Sequence, residues 1–133
     1  MTIALFCILI AAILPIVCAG IAKQGTFGIP RKEGGYDNID PRAWLARQEG
    51  VRKWANNAQA NSFEALPFFA AAVIVAHMLG SAGMLLNALS VTFVVLRVLY
   101  IWLYVTAKQG ARSTVWALAF AVNIAIFLLP VFK

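Results

Sequence analysis

From Met1 to Ala22 the chain carries no charged residue. As a helix, a run of that length reaches about 33 Å, enough to cross a hydrocarbon core of about 30 Å. Lipid offers no water to the backbone, so a spanning run must satisfy its own amides and is therefore helical. A secretory signal is the competing reading, but no basic residue precedes the apolar stretch. Cleavage before Cys18 is disfavoured as well, because Pro15-Ile16-Val17 stands where a lipoprotein site has a leucine and small residues. Three further apolar runs follow, so the first is read as an uncleaved span.

The remaining spans are expected at about 54–79, 84–107 and 113–132, with a polar loop over 23–53. The whole chain, 1–133, then forms a single domain: an all-α, four-helix transmembrane bundle of up-down-up-down order. Composition excludes a soluble alternative. The chain is 62% hydrophobic and 12% charged, against roughly 45–50% and about 25% in soluble domains. A core this small has too much surface to hide the excess.

Lys23, Arg31, Lys32, Arg42, Arg47, Arg52 and Lys53 account for seven of the eleven basic residues. They share the 23–53 segment with Glu33, Asp37, Asp40 and Glu49, so the net charge of +6 is no basic stripe. Nucleic acid is excluded as a partner on that ground, and the lipid bilayer takes its place. Basic residues also follow the third span, at Lys108 and Arg112, whereas Gly80-Ser81-Ala82-Gly83 has none. The positive-inside rule therefore puts loop 23–53 and the third connection in the cytoplasm and both termini outside. Such a multi-pass protein is placed in a bacterial inner membrane.

Local signals refine the picture. Asp40-Pro41 reads as a helix start, with Asp as N-cap and Pro at the first helical position. Arg42 to Lys53, with Trp44 and Leu45, forms an interfacial approach to the second span that Gly50 can interrupt. Pro15, Pro67 and Pro130 mark kinks or ends. Cys7 and Cys18, about 16 Å apart on one helix, cannot bridge and are packing or lipid-facing thiols. No metal motif is present. His77 has no second ligand at helical spacing and is read as a snorkelling or interhelical hydrogen-bonding group, and Asn123 as interhelical glue.

Glu64 and Arg97 are the two charges inside spans. Each costs about 2.5–3.5 kcal/mol at the bilayer centre unless partnered or wet. Asn57, Asn61 and Glu64 share one helical stripe; Arg97, Tyr100 and Tyr104 share another. Counting from the Gly80–Gly83 turn puts Glu64 and Arg97 at matching depth, about 21–23 Å along each helix, so an ion pair is feasible. With Arg112 opening the fourth span nearby, the pattern predicts a polar pocket in the cytoplasmic half of the bundle. A purely structural ion pair is the plainer alternative, but more polar groups converge than one pair needs.

Ala58-Gln59-Ala60-Asn61-Ser62-Phe63-Glu64-Ala65-Leu66-Pro67-Phe68-Phe69 resembles the second-helix signature of the MAPEG family, the membrane-associated proteins in eicosanoid and glutathione metabolism. Arg97-Val98-Leu99-Tyr100-Ile101-Trp102-Leu103-Tyr104, followed by Arg112-Ser113, is similar to the family's glutathione-binding stretch. The resemblance implies a homotrimer binding glutathione, as co-substrate, at subunit interfaces near the cytoplasmic side. By motif position Asn57, Asn61, Glu64, Arg97, Tyr100 and Tyr104 bind the tripeptide. Arg112, with Ser113 beside it, stabilises the thiolate in catalysis. The implied activity is conjugation of glutathione to a hydrophobic small-molecule electrophile, with lipid peroxide reduction as an extension. Two positions depart from the family's eukaryotic enzymes: Asn57 and Trp54 stand where those carry arginines. The alternatives are a non-catalytic trimeric scaffold or accessory subunit and, more remotely, a four-span efflux transporter. The transporter would need an ionisable residue in the first span, which has none.

Overall fold

The computed structural model describes residues 1–133. Thr2 opens the first helix by accepting the Leu5 N–H on its hydroxyl at 3.3 Å, and α1 then runs over Ile3–Lys23. Its buried face is Ala4, Cys7, Ala11, Leu14, Cys18 and Ala22, spaced by three or four residues and small at nearly every position. That face lies chiefly against the third helix, which offers Ala55, Ala58, Ser62, Phe69, Ala72, Val73 and Ala76. Small residues on both sides let the backbones approach closely, which is how helices associate where lipid removes the hydrophobic drive. Both thiols are packed in this contact.

Polar chain follows α1. A 3₁₀ turn at Arg31–Glu33 leads to the short α2, Pro41–Ala46, capped by the Asp40 carboxylate on the Ala43 N–H at 3.2 Å. Tyr36 organises this loop. Its ring meets Trp44 edge-on at 5.1 Å and Phe27 at 5.6 Å. The Lys23 ammonium lies 4.6 Å from the same ring, and Trp44 is buried beneath it. Arg52 ties the loop down by donating to the Gln24 carbonyl at 3.1 Å. Gly50, at φ +61°, turns the chain into α3, Gly50–Met78, so this helix begins before the apolar run near Trp54.

Between α3 and α4, Met84–Val105, the turn is a Schellman motif. Gly80 adopts φ +76°, its N–H donates to His77 O, and Ser81 N–H donates to Ala76 O. The α4 end repeats the motif, with Ala107 N–H on Tyr104 O and Lys108 N–H on Leu103 O. There the left-handed position is held by Ala107 at φ +59°, strained for a residue with a Cβ. The last span, α5, covers Gln109–Leu128 and tightens into a 3₁₀ turn over Leu129–Phe132.

Helix makes up 79% of the chain and there is no strand. Four helices are long and apolar enough to cross a membrane. They pack as neighbours, α1 on α3 and α4 on α5, around a core in which Phe69 and Phe93 stack at 4.0 Å. At the turn end, Thr2 and His77 are hydrogen-bonded at 2.7 Å, and Asn87 accepts the Ala4 N–H at 2.9 Å. His77 therefore does join two helices.

Candidate functional site

Midway along the bundle, α3, α4 and α5 line a cavity of about 140 Å³. Its polar rim is Asn61 and Glu64 from α3 and Arg97 from α4. Arg97 is only 3% exposed. One of its guanidinium N–H groups donates to Asn61 Oδ1 at 2.7 Å, and its plane lies 4.4 Å over Tyr100. Tyr100 in turn meets Tyr104 edge-on at 5.6 Å, and Tyr104 carries the Arg112 guanidinium 4.1 Å from its ring. The result is a ladder of cation, ring, ring and cation, from Arg97 inside the bundle to Arg112 at the start of α5.

Helical spacing explains the ladder. Arg97, Tyr100 and Tyr104 lie at i, i+3 and i+7 on α4. The α4–α5 turn returns Arg112 to the level of Tyr104, where stacking on the ring offsets part of the loss of hydration. Neither guanidinium is matched by a carboxylate. The ion pairs of the chain are Arg31 with Asp37 at 3.4 Å and Lys53 with Glu49 at 3.5 Å, both at the loop end.

The expected Glu64–Arg97 ion pair does not form. The two share a cavity and a depth, but Asn61 takes the guanidinium. The reason is helix phase: at 3.6 residues per turn, Asn61 lies about 60° nearer than Glu64 to the packed face of α3 defined by Ala58, Ser62 and Phe69. Glu64 is left at the rim and exposed on a single chain. Asn57, one turn further toward the loop, is also exposed and stands apart from the cavity. Ser113 is exposed too, and its hydroxyl donates to its own helix at Gln109 O, 3.2 Å away. The structure thus gathers Asn61, Glu64, Arg97, Tyr100, Tyr104 and Arg112, and leaves Asn57 and Ser113 outside.

Asn123 differs from expectation as well. It is 2% exposed, yet its Oδ1 has no hydrogen-bond partner. It lines the cavity instead of gluing helices, together with Phe93 and Phe68, whose rings offer it no N–H or O–H donor. Those rings, with Trp116 and Phe120, form the apolar wall; residue type alone does not mark them out, because aromatics are ordinary in membrane spans. The signal that could have found them is spacing: Trp116, Phe120 and Asn123 lie at i, i+4 and i+7, one turn beyond Arg112.

Neither a curated protein nor a solved structure matches this chain. A family profile, that of the MAPEG family, matches residues 3–132, from the start of α1 to the final turn after α5. The match takes in every residue of the rim, the ladder and the wall. With four apolar helices in the order described, the chain belongs to the MAPEG family.

Proposed function

We propose that this protein is a membrane-embedded glutathione transferase, which conjugates the glutathione thiolate to hydrophobic electrophiles arriving from the bilayer. MAPEG membership allows this reading and also allows a non-catalytic one. The observation that carries the transferase reading is the pair of guanidiniums, Arg97 and Arg112, held on tyrosine rings with no carboxylate on either. Cations placed in a membrane protein without counter-ions call for an anionic ligand. Glutathione brings two carboxylates, an amino group and a thiol, and the rim offers complementary groups: Arg97 and Asn61 for a carboxylate, Glu64 for the ammonium.

Arg112 has the chemistry for the reacting sulfur. A thiol of pKa about 8.5 is mostly protonated at neutral pH, and the thiolate is the nucleophile. A guanidinium remains charged at any relevant pH, so one held beside the sulfur favours the thiolate. The thiolate then forms a C–S bond at the electrophilic carbon. A leaving group departs with its electron pair, or a conjugated carbonyl takes up the electrons and then a proton from water.

Assembly as a homotrimer fits the same surfaces. Glu64 and Asn57 lie exposed on one stripe of a single chain, and a carboxylate facing lipid is costly; a neighbouring subunit would cover that stripe and complete the site. The basic residues of loop 23–53 and the α4–α5 turn favour placing the site in the cytoplasmic half of a bacterial inner membrane, with both termini outside.

One observation favours the second reading, a non-catalytic scaffold or accessory subunit. Asn57 is exposed and Trp54 half-buried, at positions where the resemblance would supply further cations for glutathione. Turnover separates the two. Protein reconstituted in liposomes with glutathione and a panel of hydrophobic electrophiles should form conjugates, and Arg112→Ala should lower the rate about 10²-fold, as removing one charge-stabilising group does. Equal turnover in the variant removes the proposed role of Arg112, and no turnover with any electrophile gives the lead to the scaffold.

A further inference from the structure

Three helical stripes meet at the cavity, and only its rim is used by the glutathione reading. Beyond the rim, Glu64 is followed on α3 by Phe68, one turn deeper, and Arg97 on α4 is preceded by Phe93, also one turn deeper. On α5 the order is Arg112, Trp116, Phe120 and Asn123. The rings of Trp116 and Phe120 are parallel, 5.4 Å apart and 5° from coplanar in orientation. Phe68 closes on Phe120 at 5.9 Å. Trp116 and Phe120 are themselves partly exposed, so the space they bound, about 140 Å³, is a groove open on one side, comparable in size to the roughly 150 Å³ that holds one benzene ring.

One polar group sits in this aromatic wall. Asn123 is 2% exposed with its Oδ1 unpartnered, whereas the buried hydroxyls of Ser62 and Ser90 donate to Ala58 O and Leu86 O of their own helices. A sealed, unpaired amide oxygen is unfavourable in so apolar a place. The χ2 torsion of asparagine is broad and roughly two-fold, so the amide can turn its oxygen into the cavity and accept from whatever lies there.

We propose that the cavity is a binding site for one aromatic ring bearing a hydrogen-bond donor, a phenol or an aniline, with the donor on Asn123 and the ring among Phe68, Phe93, Trp116 and Phe120. The site selects for the donor because a ring without one leaves Asn123 Oδ1 unpaired. It rests on the transferase reading only in naming the owner of the ring: the electrophile whose reacting carbon would then lie toward Arg112, one turn below Trp116. The binding itself needs no glutathione.

The test uses 4-fluorophenol and fluorobenzene, followed by fluorine NMR on the purified full-length protein in detergent, with empty micelles as the partition reference. The phenol should bind about fivefold to tenfold more tightly than fluorobenzene, and 4-fluoroaniline should follow the phenol. In Asn123→Leu the preference should vanish, both rings should bind alike, and the melting temperature should equal or exceed that of the parent. Ala65→Phe, which fills the cavity from α3, should abolish both. Equal binding of the two rings to the parent would mean that a water or nothing serves Asn123, and would overturn the proposal. So would absence of saturable binding, or an Asn123→Leu protein that fails to fold, since that would make the amide a structural group. Glutathione calorimetry is independent of all these outcomes, so failure of one reading is distinguishable from failure of the other.

Discussion

Asn61, and not Glu64, should be the residue that keeps Arg97 in the bundle. The guanidinium is 3% exposed, its hydrogen bond to Asn61 Oδ1 is short at 2.7 Å, and no carboxylate pairs with it. Neutral interhelical hydrogen bonds in membrane proteins are worth only about 0.6 kcal/mol, because the unfolded helices find other partners in the lipid. A charge-assisted bond to a buried donor belongs higher, at about 1.5–3 kcal/mol, since a lipid-exposed arginine has no such substitute. Asn61→Leu should therefore lower stability by about 2–3 kcal/mol, and Glu64→Gln, at the exposed rim, by under about 1 kcal/mol. Equilibrium unfolding in mixed detergent micelles, with Arg97→Leu completing a double-mutant cycle, measures both. Asn61 and Arg97 should be coupled by more than about 1 kcal/mol and Glu64 and Arg97 by much less. The reverse order, with Glu64 the stronger partner, would refute the helix-phase argument and restore the ion pair.

Other substitutions probe other links. Phe69→Ala removes a fully buried ring from its stack on Phe93 and should cost about 3–5 kcal/mol, visible in the same unfolding assay. Ala107→Gly should stabilise by up to about 1 kcal/mol by relieving the φ +59° conformation at the end of α4; a loss of stability there would argue against that backbone. A Cβ at Gly35 would lie 1.8 Å from Ile29 O, so Gly35→Ala should open the 26–36 loop to proteolysis while leaving the spans protected. The Ile39 N–H, with weaker help from the Asp40 N–H and Arg31, holds the Asp37 carboxyl below the ordinary carboxylate range. Because the folded value is the lower one, this contribution is complete above about pH 4 and lost as pH falls through it. The Ile39 amide resonance should titrate with Asp37, and an Ile39 signal indifferent to acid would contradict the hydrogen bond.

The spans were legible because solvent imposes them: a charge-free run such as Met1–Ala22 has one stable form in lipid. Punctuation was legible too. Asp40-Pro41 opens α2 and Gly80 closes α3, since capping depends on the chemistry of single residues. The polar convergence of Asn61, Arg97, Tyr100, Tyr104 and Arg112 also followed from spacing and depth. What spacing leaves open is the rotation of one helix against another. A shift of about 60° decided between Asn61 and Glu64 as the partner of Arg97, and no local pattern encodes it. The same freedom turned Asn123 onto a cavity wall of rings rather than toward a partner. Tyr36, amid the glycines of the 23–53 segment, gave no sign that it would gather Phe27, Trp44 and Lys23, because that contact joins two loop segments across intervening chain.

Glutathione binding to the detergent-purified protein, measured by calorimetry with Arg112→Ala alongside, tests the transferase account most directly. The account predicts saturable binding to the parent and a pH-dependent thiolate absorbance that is lost in the variant. No heat of binding at millimolar glutathione would contradict it, and would mean that the unpaired guanidiniums on Tyr100 and Tyr104 serve another anion or the assembly alone.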